Sequence, residues 1–449
     1  MGSRPRQRCG TVAGGRACAL VALLAILSCA AHAATDVKFD WSKDMWYNPS
    51  LVQAGDTFVS AVKSTRMQRM GKKNWWINSL RMCEGSVSSS SSSGMQALTC
   101  KPYDPWAGKY KECEFDDRVR GGKLDTAGLG DVKVWRWPGR GVYAIFGRKP
   151  QRNGTSVLCN GFVVYHQWIA QIKAEEGAGE WRLEQPLPLL VPASHAYPEG
   201  TAFAMEKNWM PFVHMDANGA EHLYVSYLMQ PHIVLEVMPS GETVHRWTSH
   251  DEQLMAKFAP HHVHGGPPVV YVPADRSPSG AAYYLGVMHH IEKVGEKNAR
   301  LYRHFAFKTA PHPPFEVTAV SDELPLVFNA TYKARTALIA FVSGLDLSPS
   351  GDVLITYGSA DVNARLLSLP LPELEGLFSG GVAFRDVDVP HEPVAEHAKA
   401  RRLLGRHGGS WGARRRQQQA AAGGRRGRGH LRRGGDGLED GEEDGGVHF

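Results

Sequence analysis

The residues best placed to do chemistry in this chain stand where strands are expected to begin. Glu206 and Lys207 open the stretch EKNWMPFVHMDANGAEHLYVSYLMQPHIVLEV (206–237), whose charged, aromatic-rich head leads into two β-rich runs. If such modules ring a centre, polar residues at their leading ends face the axis, where propellers keep their ligand sites. An exposed pair at a strand entry would carry the same residue types. His261, His262 and His264 have the spacing of metal ligands, but no acid or cysteine accompanies them and no metal site is expected. His289 and His290 are adjacent in an alternating run, so only one of them can face a site. Trp41, Trp46, Trp75, Trp76 and Trp209 could stack on the flat face of a ligand, although an aromatic in a β-rich chain is more often core.

The elements that must position these residues are short and strand-like. Within 206–237 a turn at Asp216, Asn218 and Gly219 precedes HLYVSYL and HIVLEV, which Gln230-Pro231 separates. Comparable modules recur. MWYNPSLVQAGDTFVSAVKSTR (45–66) reads as the opening of a first blade, continued by an irregular cysteine-rich segment to about Asp125. GLGDVKVWRWPGRGVYAIFGRKP (128–150) and VLCNGFVVYHQWIAQI (157–172) make a second, and 206–237 with ETVHRWTS a third. HHVHGGPPVVYVP, AAYYLGVMHHIEK, ARLYRHFAFKT and FEVTAVS supply a fourth. TALIAFVSGLDLSPSGDVLITYGSADVNARLLSLPL (336–371) makes the fifth, with a type I turn signature at Pro349-Ser350-Gly351-Asp352. ELEGLF near 373 reads as one or two helical turns. The expected fold is all-β, a five-bladed β-propeller over 40–390 with a Ser-rich insertion at 84–96.

Both ends differ from this body. Residues 1–33 combine Arg4, Arg6, Arg8 and Arg16 with the apolar run ACALVALLAILSCAA and a small-residue exit, the layout of a secretory signal cleaved near Ala33. An uncleaved anchor is the rival, although the run is shorter than the roughly 20 residues a span needs. Residues 391–449, Arg/Gly-rich with an acidic end, read as a disordered tail. Residues 1–33 and 401–449 hold more than the whole formal charge of +6, which leaves residues 34–400 at about −3 and gives no electrostatic case for nucleic acid. Three cysteines fall in the leader. Cys83, Cys100, Cys113 and Cys159 remain, which in an oxidising compartment suggests two disulfides, with Cys83–Cys100 the preferred pair because it brackets the serine run 88–93. Sequons at Asn153 and Asn329 agree with a secretory, extracellular or Golgi-lumen location.

With the modules laid out, five strings resemble the five-bladed propeller of glycoside hydrolase family 130, the β-mannoside phosphorylases, and related β-1,2-mannosyltransferases. They are NPSLV at 48, LGDVKVW at 129, EKNWMPF at 206, GGPPVV at 265 with GVMHH at 286, and ITYGSADVNARLLSL at 355. The resemblance implies that Asp131 is the general acid, a role for which a carboxyl needs a raised pKa. It implies that Lys207 and His289 help hold phosphate or the acceptor sugar, and that Tyr302 and His304 follow in the adjoining strand. Asp361 would bind sugar hydroxyls, and Asn48 and Glu206 belong to the same substrate-binding set. The chain departs from the family where Pro and Arg follow the acid; here these are Val132 and Lys133. The family's phosphate-binding arginine has two candidate counterparts, Lys63 and Arg66.

The reading that follows is a carbohydrate-active enzyme that cleaves or transfers a glycosyl unit, mannosyl by resemblance, with inorganic phosphate as a candidate co-substrate and no other cofactor. A non-catalytic glycan-binding propeller is the alternative, and a scaffold using the rim and basic tail a third. The partner is a carbohydrate, with a membrane involved only if the leader is retained; the sequence does not set the oligomeric state.

Overall fold

The computed structural model describes residues 35–36, 45–54, 57–70, 73–86, 99–101, 130–148, 163–175, 180–192, 195, 203–250, 256–258, 262–294, 299–327, 339–359 and 363–378. All of them fall in the compact unit Met1–Val387. The leader, the tail, Asp361, His261, Cys113, Cys159, Asn153, Asn329 and the serine run 88–93 lie outside the described residues.

The chain is all-β in a propeller arrangement, built of five sheets taken in order along the sequence. The first is β2 (Met45–Ala54), β3 (Thr57–Met70), β4 (Lys73–Ser86) and β5 (Thr99–Lys101). The second runs β6 (Gly130–Trp137), β7 (Gly141–Arg148) and β8 (Val163–Glu175), with β9 (Glu180–Pro188) and β10 (Phe203–Met205) both on β8. The third is the meander β11 (Met210–Met215), β12 (Glu221–Met229), β13 (His232–Val237) and β14 (Thr243–Ser249). In the fourth, β15 (Val263–Gly265) and β16 (Val270–Val272) share the edge of β17 (Tyr283–Val294), followed by β18 (Ala299–Thr309) and β19 (Val317–Glu323). The fifth is β20 (Ala340–Leu347), β21 (Asp352–Ser359) and β22 (Asn363–Pro370), then the helix α1 (Leu371–Gly376).

Alternation along these strands makes each sheet two-faced, and the apolar faces of neighbouring sheets meet. Val52, Val59 and Ala61 pack on Val134, Ala144 and Phe146, joining the first sheet to the second. Trp135, Ile145 and Ile169 pack on Val225 and Leu235, joining the second to the third. Phe212 and Tyr224 meet Met288, Phe305 and Phe307 between the third and fourth, and Leu285 and Val287 meet Val342 and Ile355 between the fourth and fifth. Leu51 and Phe58 against Leu354 and Leu366 close the circuit from the fifth sheet back to the first. Each Val, Leu, Ile, Phe or Met among these contributes roughly 1.5–3 kcal/mol when fully buried, so the core is spread around a circuit rather than gathered at one centre.

Hydrogen bonds near the strand starts follow the same order. Val134 N–H donates to Ser50 Oγ at 2.7 Å, Lys133 Nζ to Trp209 O at 3.4 Å, Val269 N–H to Pro211 O at 3.0 Å, Val342 N–H to His304 Nε2 at 3.3 Å, and Ser343 Oγ to Pro49 O at 2.8 Å.

Three features differ from the sequence expectation, the first being that β9 and β10, which lie in no expected module, join the second sheet. β1 (Thr35–Asp36) pairs antiparallel with β22, so the last sheet is completed from the opposite end of the chain. Two residues carry no periodicity, which is why no pattern announced them. The third sheet begins at Met210, so Glu206 and Lys207 lie in the lead-in to the strand, not in it. The turn at Pro349–Asp352 forms as expected: Ser348 Oγ accepts from Asp352 N–H at 2.9 Å, and Gly351 takes φ +94°. Across β4 and β5, Cys83 and Cys100 are direct backbone partners. Among the described residues, no helix is long and apolar enough to cross a membrane.

Candidate functional site

The inner strands of the first three sheets begin alike. Asn48 has φ +50° and sits in a register shift of β2 between Tyr47 and Ser50; Asp131 has φ +27° in a shift of β6 between Gly130 and Lys133. Asn208 has φ +65° two residues before β11 starts. The left-handed region is disfavoured for residues with a Cβ and least so for Asn and Asp, and such conformations gather at functional sites. In each case two buried residues follow: Pro49-Ser50, Val132-Lys133 and Trp209-Met210.

Asp131 is the centre of the constellation. Its side chain is 34% exposed, and Oδ1 accepts from Lys63 Nζ of β3 at 3.0 Å and from Asn48 Nδ2 at 3.4 Å. Burial works to raise the pKa of this carboxyl. Lys63, by charge and hydrogen bond, with Lys133 and Lys207 behind it, outweighs burial and holds the value at about 2. The raised pKa expected of a general acid is therefore not present in the ligand-free protein; Asp131 rests as a carboxylate.

Lys133 is 1% exposed, and Trp209 O at 3.4 Å accepts from its Nζ. Burial pushes its pKa down to about 7, against the pull of Asp131. Lys207 is exposed at the same centre, close enough for its charge to act on both Asp131 and His289. Around Asp131 there is thus more positive charge than its carboxylate cancels, a setting suited to an anion or to the hydroxyls of a polar ligand.

His264, His289 and His304 are cross-strand partners in a row over β15, β17 and β18. The His289 ring lies 5.4 Å from each of the His264, His304 and Tyr302 rings. Burial, then the charges of His304, His264, Lys133 and Lys207, keep His289 neutral, and burial brings His304 down to about 3. Neutral imidazoles can exchange hydrogen bonds but bring no charge to an oxyanion. Among the described residues His289 Nδ1 is a buried polar atom without a partner. No group of three His, Cys, Asp or Glu side chains among the described residues is arranged to hold a metal ion.

Of the sequence candidates, the structure brings together Asn48, Asp131, Lys133, Lys207 and His289, with Tyr302 and His304 stacked behind His289. Glu206 is adjacent but occupied: Trp209 Nε1 donates to Oε2 at 2.8 Å and Tyr227 Oη to Oε1 at 3.4 Å. Its backbone oxygen accepts from Gln167 Nε2 at 2.7 Å, so Glu206 clamps the lead-in to β11. Of the two basic candidates on β3, Lys63 is the one paired with Asp131; Arg66 lies three positions further along, its side chain outside the described part. Sequence reasoning had not singled out Asn208, whose signal is a short polar residue two positions ahead of a buried inner-strand residue, as in NPS and DVK.

No family model matches the chain, and no curated protein matches it. Among solved structures, the chain is similar to a β-1,2-mannobiose phosphorylase from Listeria innocua in complex with β-1,2-mannobiose, with 10% identity, 77% of this chain and 96% of that chain covered, and a TM-score of 0.45. It is also similar to a GDP-Man-dependent mannosyltransferase from Leishmania mexicana, at 13% identity, 82% and 98% coverage and a TM-score of 0.42. A mannose phosphorylase from the same organism, in complex with a phosphate ion, is 12% identical, with 83% and 100% coverage and a TM-score of 0.39.

Proposed function

We propose that this protein is a five-bladed β-propeller of the secretory pathway that binds a carbohydrate at the mouth of its axis and cleaves or transfers a glycosyl unit, with mannosides the first class to test. The observation that carries this reading is the meeting of Asn48, Lys63, Asp131, Lys133 and Lys207, from three sheets, around one ionised carboxylate. Carboxylate, amide and ammonium groups together suit vicinal hydroxyls, and the surplus positive charge suits inorganic phosphate as nucleophile.

The low pKa of Asp131 shapes the chemistry. A carboxylate cannot protonate a departing oxygen, so it must first gain a proton. An anion bound to Lys63 would divert the charge that keeps Asp131 ionised, and burial, the largest influence on this carboxyl, would then draw its pKa upward. Anion binding and protonation of Asp131 are coupled in this scheme, so the acid form arises once the co-substrate is in place.

The test is to incubate the purified protein with a panel of manno-oligosaccharides, with and without inorganic phosphate, and score products by mass spectrometry. A sugar phosphate formed only with phosphate, and at least a hundredfold slower in Asp131→Asn, is the expected result. A non-catalytic glycan-binding propeller is the second reading, favoured by the ionised state of Asp131. Binding without turnover would establish it.

The secretory assignment rests on the leader, the sequons at Asn153 and Asn329 and the opposed Cys83 and Cys100. Peptide mapping of the secreted protein without reduction is expected to yield a linked Cys83–Cys100 peptide and a mature N-terminus near residue 34. Free thiols at both positions would remove that argument.

A further inference from the structure

We propose that Asn208 is a ligand-binding residue of the same site, the counterpart in the third sheet of Asn48 in the first and Asp131 in the second, its side-chain amide binding a hydroxyl of the carbohydrate. The inference rests on the carbohydrate reading above and adds a residue that neither the sequence motifs nor the Asp131 contacts assign.

Four non-glycine residues of the described chain have positive φ, and three of them, Asn48, Asp131 and Asn208, stand at equivalent places at the heads of consecutive inner strands. Two of the three are already in contact, through Asn48 Nδ2 and Asp131 Oδ1. The third is set by the same construction, because the residue after it, Trp209, accepts from Lys133 Nζ just as Pro49, after Asn48, accepts from Ser343 Oγ. Lys133 therefore ties the Asn208 turn to the strand that carries Asp131.

The surroundings hold the Asn208 backbone in its left-handed conformation and leave its side chain unused. Glu206 fixes the Trp209 indole from one side. On the other, Gly265 packs so tightly on Asn208 O that a Cβ there would overlap the oxygen. Asn208 itself is half-buried, and among the described residues its side-chain amide makes no hydrogen bond. An amide carries both donors and an acceptor, which matches a pyranose hydroxyl able to give and receive. A turn that only needed positive φ would be met at lower strain by glycine. An asparagine kept there, next to Lys207 and in step with Asp131, points to recognition.

The substitution Asn208→Gly separates the two roles, since glycine keeps the φ and deletes the amide. Binding of the manno-oligosaccharide panel is measured by calorimetry for wild type, Asn208→Gly, Asn208→Asp and Asp131→Asn, with a melting curve for each. The expected result is that Asn208→Gly melts at or above the wild-type temperature yet binds about tenfold more weakly. Asn208→Asp, which keeps an acceptor, falls between. Wild-type affinity in Asn208→Gly alongside loss in Asp131→Asn would overturn this inference and leave the carbohydrate reading standing. No binding by wild type would remove both.

Discussion

A Lys133→Met protein is expected to melt at a higher temperature than wild type at and below neutral pH, while losing affinity for the ligand of the site. The side chain is 1% exposed, and among the described residues its one hydrogen bond is donated to a carbonyl at 3.4 Å, Trp209 O. Leaving that carbonyl unpaired costs about 1–3 kcal/mol. Confining a charged amine in the same place costs several kcal/mol, only partly offset by Asp131. Methionine has similar volume and no charge, so the gain outweighs the loss.

The pH dependence carries the sign. Between about 7, the value in the folded protein, and 10.5, the ordinary value of a lysine, the unfolded chain binds more protons at Lys133 than the native one, so wild-type stability rises with pH across that window. In Lys133→Met that rise is absent. Melting curves of both proteins from pH 6 to pH 10 make the comparison; parallel curves would show that Lys133 does not titrate in this way. A stabilised variant that binds poorly is also what a functional, energetically unfavourable buried group leaves behind.

Gly358→Ala should damage both stability and the site, from a position that carries no chemistry. A Cβ on Gly358 would overlap Asn48 Oδ1 and stand 2.7 Å from Asn48 N. Neither can move freely: Asn48 is 5% exposed, and Pro49 next to it is bonded to Ser343. Overpacking of this kind costs roughly 1–3 kcal/mol, and any relief displaces Asn48 from Asp131. Gly351→Ala is the control. Gly351 sits in a turn at φ +94° with open space around it, so alanine brings backbone strain of about 1 kcal/mol without touching the site. Urea denaturation with ligand binding should show Gly358→Ala losing both and Gly351→Ala losing only a little stability. A Gly358→Ala protein with unchanged binding would mean that Asn48 does not depend on this packing.

Much of the architecture was legible because period-two alternation and Gly/Pro punctuation are local signals. The runs around 130–148, 210–249 and 340–370 read as strands, and strands they are. What alternation cannot supply is register. The shifts at Asn48-Pro49 and Asp131-Val132, which turn these residues out of the ladder, exist only because two strands of unequal path pair. Choosing Lys63 over Arg66 needs the same information, since it depends on how β3 lies against β6. That Glu206 accepts from Trp209 and Tyr227 was not legible either, because these are ordinary core aromatics until the chain folds.

Asp131 shows the limit most sharply. A carboxylate at a low-polarity mouth suggests a raised pKa, and burial does act in that direction. The three lysines that reverse it come from three different sheets, and only the folded chain brings them together. The repeated positive-φ turn, by contrast, leaves a trace in the sequence as NPS, DVK and NWM, recognisable once the conformations of Asn48 and Asp131 are known.

The central claim is that Asp131 is held as a carboxylate by Lys63 at the point where three inner strands converge. Its most direct test is a carbon-detected NMR titration of the Asp131 side-chain carboxyl, assigned by its disappearance in Asp131→Asn, repeated in Lys63→Met. The account predicts that the wild-type signal stays in its ionised position as pH falls through 3.8 and moves only toward about 2, whereas in Lys63→Met the midpoint rises. A wild-type midpoint at or above the ordinary aspartate value, unchanged by Lys63→Met, would contradict it.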